Sequence, residues 1–377
     1  MTHSRIEEVL AAFAAGRMIV LVDDEDRENE GDLVVAAQHC RAEHVNFMCK
    51  HGRGLVCLAL TPERVEQLRL PMMVPTDPGD MGTAFTVSIE ARRGVSTGIS
   101  ARDRAETIRV AVDERCGPED IVSPGHVFPL RAQSGGVLVR SGHTEGAVDL
   151  ARLSGLVPAG VICEIMRDDG EMARMDELEQ FARRHELPIA TIADLIEHRL
   201  QRETLVEEVA HAPLASSALG LSEASGWTVR TFRSNVQPNV YYLAICKGEL
   251  AGDESVLVRA QRASVLGDVF GFGEDSGRRL RAALRIIDAA GRGVFLYVLA
   301  KGGDEVDRML GHEPSARARP RTRPAEHGFR QFGLGAQVLA RLGLRRIRVI
   351  TDNPRKIIGL GGFGIEVDGT VALGDHP

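Results

Sequence analysis

Asp23-Asp24-Glu25-Asp26-Arg27-Glu28-Asn29-Glu30-Gly31-Asp32 is a run of carboxylates interrupted by a single arginine. Residues 18–22 and 33–37 flank it, and each run has the length and β-branched content of a buried strand. The acidic block is therefore a connection between two strands. Like charges at this density repel one another. A divalent metal would relieve that repulsion, and Arg27 could pair with an anionic substrate. On composition alone the competing reading is a solvated acidic turn.

Upstream, Ile6, Val9, Leu10 and Phe13 fall at helical spacing and Gly16 ends that helix. Downstream, 42–50 reads as a short helix, 54–60 as a buried strand and 62–69 as a helix opened by Thr61-Pro62. Residues 71–83 read as a long loop and 84–89 as a strand. Gly94-Val95-Ser96-Thr97-Gly98-Ile99-Ser100 then leads into a helix over 103–113. Its hydroxyls and backbone N–H groups suit either a phosphate or an ordinary helix cap.

Ser123-Pro124-Gly125-His126 predicts a tight turn that presents one histidine. In 135–145 a strand is expected to run into a glycine turn carrying Arg140, Ser141, Gly142, His143 and Thr144. Arg140 and Thr144 could share an anion there, and His143 could ligate a metal. Helices follow at 147–155 and Met175–His185, with a strand over 160–166 between them. Glu164 interrupts that apolar strand. A carboxylate so placed costs several kcal/mol unless it is paired, so it is ion-paired or functional. Residues 188–192 read as a strand and 192–200 as the helix that closes the domain.

The 377 residues suffice for two domains. A formal charge of −7 gives no global reason to expect nucleic-acid binding. No run of 18 apolar residues predicts a membrane span, and no basic and apolar pair of regions predicts a signal peptide. Six scattered cysteines without a CxxC pair suit a reducing cytoplasm and give no zinc signature.

Residues 204–226 shift to Glu, Ala, Ser and Gly and read as a linker between a domain at 1–203 and one at 227–377. The second domain is expected to hold strands near 240–246 and 255–260, a helix at 277–290, the strand Gly293–Leu299, a helix at 333–342 and the strand Arg346–Ile350. Residues 311–325, with Arg317, Arg319, Arg321 and Arg323 among prolines, read as a disordered basic loop. No aromatic residue is interleaved there for stacking on bases, so nucleic acid is not an expected partner.

Over about residues 4–200 the motifs DDEDRENEGDL, TAFTVSIEA, GVSTGISARDRAETI, SPGHVFPL, RSGHTEGAVDLARLSGL and PAGVICEIM occur in order. Together they resemble 3,4-dihydroxy-2-butanone 4-phosphate synthase of riboflavin biosynthesis. The resemblance implies an α/β protein, with a three-layer α/β/α sandwich around a mixed sheet and a homodimer with the site near the subunit interface. It implies a lyase that converts the phosphosugar D-ribulose 5-phosphate to L-3,4-dihydroxybutan-2-one 4-phosphate and formate with Mg²⁺ or Mn²⁺. It assigns the metal to Glu28 and His143, and substrate binding to Arg27, Glu28, Asp32, Glu164 and the loop Arg140, Ser141, Gly142, His143 and Thr144. His126 and Glu164 become the proton-transfer groups. Cys57 stands where the family often has an active-site cysteine, but its residue type in an apolar strand reads first as a buried core thiol.

From about residue 227 the chain resembles GTP cyclohydrolase II, an α+β domain, through VLVRAQRASVLGDVFG, GRGVFLY, FGLGAQVLARLGLRRIRVITDNPRKIIGL and GFGIEV. The departures are specific. The first zinc cysteine of that family falls on Ser264, and its cysteine pair falls in Gly273-Glu274-Asp275-Ser276-Gly277. A neutral serine lacks the charge and softness of a thiolate, so no zinc is expected. The family's next motif is replaced by Lys301-Gly302-Gly303-Asp304-Glu305-Val306-Asp307. Its acid/base aspartate falls on Gly328, whereas Arg330 keeps the arginine and Phe332 replaces a tyrosine. Thr351, Asn353, Pro354 and Lys356 still match a nucleotide-contacting segment. The sequence therefore predicts a synthase with a degenerate cyclohydrolase-like domain. The competing expectations are a bifunctional enzyme, a C-terminal binding module, and a different metal-dependent phosphosugar enzyme such as an isomerase.

Overall fold

The strand β1 (Ile19–Val22) runs antiparallel to β2 (Gly31–Ala36), with Val22 opposite Gly31, so the acidic block connects the arms of a hairpin. Both strands are buried along their whole length, which is why they read as continuous apolar runs. The structure is a computed structural model and describes residues 4–24, 27–74, 82–216, 225–236, 240–272, 276–299, 324–352, 360 and 363–374, without the side chains of 324–332. It divides into two units, one ending at Arg199 and the next beginning at Leu200.

The first unit is built on a seven-stranded mixed sheet in the order β4-β5-β3-β6-β2-β1-β7. Its further strands are β3 (Cys57–Leu60), β4 (Ile89–Ala91), β5 (Ile121–Arg131), β6 (Ala159–Glu164) and β7 (Ile189–Thr191). The helices are α1 (Ile6–Ala14), α2 (Ala42–Phe47), α3 (Pro62–Gln67), α4 (Ala101–Val112), α5 (His143–Leu153), α6 (Met175–His185) and α7 (Ile192–Arg202). One face of the sheet, with Val20, Val22, Leu33, Val35, Leu58 and Val161, packs against Val45 of α2, Ile108 of α4 and Leu178 of α6. On the other face, α5 lies against β2, β3 and β6 and also meets α1. Gly146 of α5 and Gly160 of β6 allow this approach: a Cβ would lie 2.6 Å from Leu21 at the first and 2.7 Å from Ala147 at the second. The result is three layers, α/β/α.

Several local expectations change. Residues 135–139 do not form a strand. Gly135 and Gly136 both have positive φ, 94° and 64°, which turns the chain into a short 3₁₀ segment at Gly136–Leu138. Helix α5 then begins at His143, four residues earlier than the apolar pattern suggests. Ser123–His126 is not a free turn. Ile89 pairs with Val127 and Glu90 with Val122, so 123–126 form a bulge inside β5. The strand expected over 84–89 shortens to Ile89–Ala91, with isolated bridges at Phe85 and Thr86.

The second unit holds another seven-stranded sheet, in the order β14-β13-β11-β12-β10-β9-β8. Its strands are β8 (Val206–Pro213), β9 (Trp227–Ser234), β10 (Tyr241–Lys247), β11 (Val256–Arg262), β12 (Gly293–Leu299), β13 (Arg346–Ile350) and β14 (Glu366–Val371). Helices α8 (Ser276–Ala290) and α9 (Pro324–Arg341) accompany it. Residues 206–213 are thus sheet and not linker: β8 pairs with β9 from Val206 opposite Ser234 to Pro213 opposite Thr228. It is an edge strand with mostly exposed side chains, so it carries no apolar alternation to read. Of the expected basic loop, 311–323 lie outside the described residues, and 324–325 begin α9.

Candidate active site

The acidic loop is organised by its first residue. Asp23 is buried and accepts Arg27 Nη1 at 2.6 Å, the Glu28 N–H at 3.4 Å and the Glu30 N–H at 2.8 Å. Asn29 takes a left-handed φ of 54° to complete the turn. Arg174, just before α6, donates from Nη1 to the backbone oxygens of Glu28, at 2.7 Å, and Asn29, at 2.5 Å. Nothing local in the sequence marks Asp23 or Arg174 for these parts. The loop presents Glu28 outward while Arg27 is buried between Asp23 and Glu28. Glu25 and Asp26 lie outside the described residues.

His143, the first residue of α5, is brought to this loop from the far side of the sequence. One ligand atom each from Asp23, Glu28 and His143 all lie within 4.8 Å of one another. The His143 ring is buried, hydrogen-bonded to the Leu21 backbone, and its Nε2 has no partner among the described residues. Burial and the neighbouring Arg27 charge lower its pKa to about 4, so the ring is neutral at pH 7. A neutral imidazole fixed at one nitrogen and unpaired at the other, beside two carboxylates, is a donor set that fits a divalent cation.

The sheet supplies the adjoining carboxylates. Asp32 on β2 is directly opposite Glu164 on β6, and two residues back on β6 Ile162 is opposite Cys57 on β3. Directly opposed and alternate residues share a face, so Asp32, Glu164 and Cys57 project from the same side. Asp32 Oδ1 has no hydrogen-bond partner among the described residues and stands 3.8 Å from His143 Nδ1. Burial, then the Glu164 charge and the acidic loop, hold the Asp32 pKa well above its usual range. Glu164 is half-buried, not alone in an apolar strand, and its Oε2 accepts the Leu55 N–H at 2.8 Å. Gly54 makes room for it, since a Cβ there would lie 2.4 Å from that oxygen. Burial pushes the Cys57 thiol strongly up, which fits a core thiol and not a nucleophile.

The loop before α5 is arranged differently from expectation. Arg140 Nη1 donates to Glu145 Oε2 at 2.6 Å, and both side chains are buried. Glu145 Oε1 also accepts the Gln133 N–H at 2.9 Å. Arg140 thus has an internal carboxylate partner, and its buried Nε has none among the described residues. Ser141, Gly142 and Thr144 are buried at the helix start. Asp149 Oδ2 accepts the Val137 N–H at 2.9 Å and Arg199 Nη1 at 2.7 Å, fixing the turn that leads into this loop.

His126, in the β5 bulge, pairs through Nδ1 with Glu90 Oε2 at 2.9 Å. That is its hydrogen-bond partner among the described residues, and no bond joins it to Asp32, Glu164 or His143. The phosphate reading of Gly94–Ser100 gives way to a cap. Asp103 Oδ2 accepts from Ser96 N, Ser96 Oγ and Gly98 N, and Ser100 Oγ accepts the Asp103 N–H. These donors are occupied, and their acceptor is itself an anion.

In the second unit Ser264 and Ser276 meet around Asp268. Asp268 accepts from Tyr297 Oη at 2.6 Å, Gln261 Nε2 at 2.9 Å, the Ser264 N–H at 2.8 Å and Ser276 Oγ. Glu274, Gly303, Asn353 and Lys356 lie outside the described residues, as do the side chains of Arg330 and Phe332. Among the described residues, no helix is long and apolar enough to cross a membrane.

Residues 7–198 match the family of 3,4-dihydroxy-2-butanone 4-phosphate synthase, and residues 215–372 match GTP cyclohydrolase II. The chain is 46% identical to the riboflavin biosynthesis protein RibBA of Aquifex aeolicus, covering 99% of this chain and 93% of that one. It is similar to the crystal structure of RibBX, a two domain 3,4-dihydroxy-2-butanone 4-phosphate synthase from A. baumannii. That match has a TM-score of 0.80 and 40% identity and covers 98% of this chain and 100% of the other. A 3,4-dihydroxy-2-butanone 4-phosphate synthase in complex with two magnesium ions matches with TM-score 0.51 and 44% identity, over 53% of this chain and 98% of that one.

Proposed function

The chain belongs to the 3,4-dihydroxy-2-butanone 4-phosphate synthase family, and from that membership we propose what its two units do. The first unit converts D-ribulose 5-phosphate to L-3,4-dihydroxybutan-2-one 4-phosphate and formate in riboflavin biosynthesis. The observation that carries this reading is the meeting of Asp23, Glu28 and His143 beside the opposed carboxylates Asp32 and Glu164.

Mg²⁺ or Mn²⁺ would be held by Glu28 and His143, with an Asp23 oxygen within reach. When bound, it supplies positive charge against the negative charge that develops on substrate oxygen. The protein groups bind and move protons. Arg27, Asp32 and the loop Arg140–Thr144 hold the phosphosugar. Glu164 and His126 take up and return protons. The four-carbon phosphate, formate and one proton together contain all the atoms of the substrate, so water lost on the way is regained and one proton is released to solvent. Burial and the neighbouring carboxylates disfavour the ionised form of Asp32, the group that faces Glu164 across the sheet.

The second unit is read as inactive towards GTP. Its Ser264 and Ser276 hydroxyls are neutral: the first accepts the Gly267 N–H and the second donates to Asp268. Such groups do not make a zinc site. The name of the A. baumannii relative, a two domain synthase, supports this reading, whereas the RibBA relative supports a bifunctional one. The family resemblance supports a homodimer, and six free thiols suit the cytoplasm.

One paired assay tests these points. The purified chain with Mg²⁺ should release formate from ribulose 5-phosphate and lose that activity on chelation. With GTP and added Zn²⁺ it should release none. Interconversion of pentose phosphates without formate would make it an isomerase, and formate from GTP would make it bifunctional.

A further inference from the structure

Four aromatic rings from three segments meet at the end of α6. Phe47 ends α2, His51 lies in the π-helical turn Met48–Gly52, and Phe181 and His185 stand one turn apart on α6. His185 is the hub. Its ring centre lies 4.5 Å from that of Phe181, 4.8 Å from His51 and 5.1 Å from Phe47, and His51 lies 4.6 Å from Phe47. Both imidazoles are half-buried. Each side of this cluster is tied to the site. The Gly52 oxygen of the turn accepts the Met166 N–H at 2.9 Å. Just beyond it, the Gly54 N–H donates to the Glu164 backbone oxygen at 3.3 Å and the Leu55 N–H to Glu164 Oε2 at 2.8 Å. At the other end of α6, Arg174 holds the backbone of Glu28 and Asn29.

We propose that the His51–His185 contact is an acid-sensitive latch between this turn and α6, closed while at most one of the two rings is protonated and open when both are. A single imidazolium is tolerated, because the carbonyl end of α6 and the faces of Phe47 and Phe181 favour one positive charge. A second is opposed by the first and by the fixed charges around it. Lys50 and Arg53 act on His51, Arg184 acts on His185, and among the described residues no carboxylate acts on either ring. Burial, and then these like charges, put both pKa values below the usual 6.5. As the pH falls below 6.5 the unfolded chain binds more protons at these two positions than the native one does. The contact is therefore fully present above that value and is lost below it. The pair takes up its protons in two steps, and the latch follows the second. Opening frees the end of α6 and the turn together, and with them the seats of Glu28 and Glu164. The consequence for turnover rests on the synthase reading given above.

Hydrogen exchange on the full chain, read by mass spectrometry at pH 7 and pH 5 and corrected for intrinsic rates, tests the latch. Peptides covering 48–54 and 180–187 should lose protection about 10-fold at pH 5, while those of β2 and β3 keep theirs. His185→Phe retains a ring and removes the charge, so both segments should stay protected at pH 5. His51→Gln, which likewise cannot become charged, supplies a second variant if the first folds poorly. Equal protection of the wild type at the two pH values, or the same loss in the variants as in the wild type, would overturn the proposal. The ratio of formate release at pH 5.5 to that at pH 7.5 should be about 3-fold higher in His185→Phe than in the wild type. Identical ratios would overturn the link to turnover. If the wild type released no formate at all, the synthase reading would fail, and the exchange would still decide whether the latch exists.

Discussion

Arg27 and Glu28 are joined at two points, Nη1 to Oε2 at 2.6 Å and Nη2 to Oε1 at 3.1 Å. The same Nη1 lies 2.6 Å from Asp23 Oδ2. The guanidinium therefore stands among the carboxylates that would receive a divalent cation, and the two positive charges compete for Glu28. Arg27→Gln should bind Mn²⁺ about 5-fold more tightly, equivalent to about 1 kcal/mol, while its KM for ribulose 5-phosphate rises. Titration calorimetry with Mn²⁺ alone reads the first effect, and equal or weaker binding would rule out the competition.

Glu28→Gln and His143→Ala should each abolish formate production while leaving far-UV circular dichroism unchanged. Glu28 is half-exposed and His143 lies at a helix end, so neither removes a large part of the core. Wild-type turnover by either purified variant would sink the metal assignment.

His143 also makes stability depend on pH. Its pKa falls from 6.5 to about 4 on folding, so between these values the unfolded chain binds more protons than the native one. The native state therefore keeps the full contribution above about pH 6.5 and loses it as the pH falls towards 4. The loss is on the order of 3 kcal/mol. Urea unfolding of the chelated protein at pH 7 and pH 4.5 should show a smaller difference for His143→Gln than for the wild type.

Gly54→Ala tests the seat of Glu164. A methyl group would collide with the Glu164 carboxylate at 2.4 Å and with its backbone N at 2.7 Å. The backbone cannot yield as a side-chain end can. Turnover is expected to fall at least 10-fold with the protein still folded. A kcat equal to wild type would show that Glu164 need not stand where it does.

Arg174→Ala removes the two bonds that pin the Glu28 and Asn29 backbone. Arg174 touches no proposed ligand atom, yet Mn²⁺ affinity should drop about 10-fold, as it does when the supports of metal ligands are lost. Unaltered affinity would show that the loop holds its shape without Arg174.

The strands around the acidic loop were legible because β1 and β2 are buried on both faces and carry unbroken apolar runs. The loop's chemistry was legible from its charge density. Its internal order was not, because Asp23 looks like any other member of an acidic run. The pairings of Arg174, Glu145 and Glu90 escaped notice for one reason: each finds its partner through tertiary packing, and the motifs that contain Glu90 and Glu145 do not show which residue faces them. The sequence reads Gly135-Gly136 as the start of a strand, and the turn found there instead depends on two consecutive left-handed residues and on Asp149, whose oxygen would meet a Cβ at Gly136 at 2.3 Å. Strand β8 was missed because an exposed edge strand needs backbone pairing more than apolar side chains.

The opposition of Asp32 and Glu164 ties chemistry to strand alignment. Side chains alternate along a strand, so sliding β2 by one residue against β6 would set Leu33 in the place of Asp32 and drive the carboxylate into the apolar layer of Leu58 and Val161. A misaligned sheet would thus lose its reaction centre and its core together. No pool of stable but inert isomers of this sheet can accumulate, and a selection for soluble protein already enriches for correctly assembled active sites.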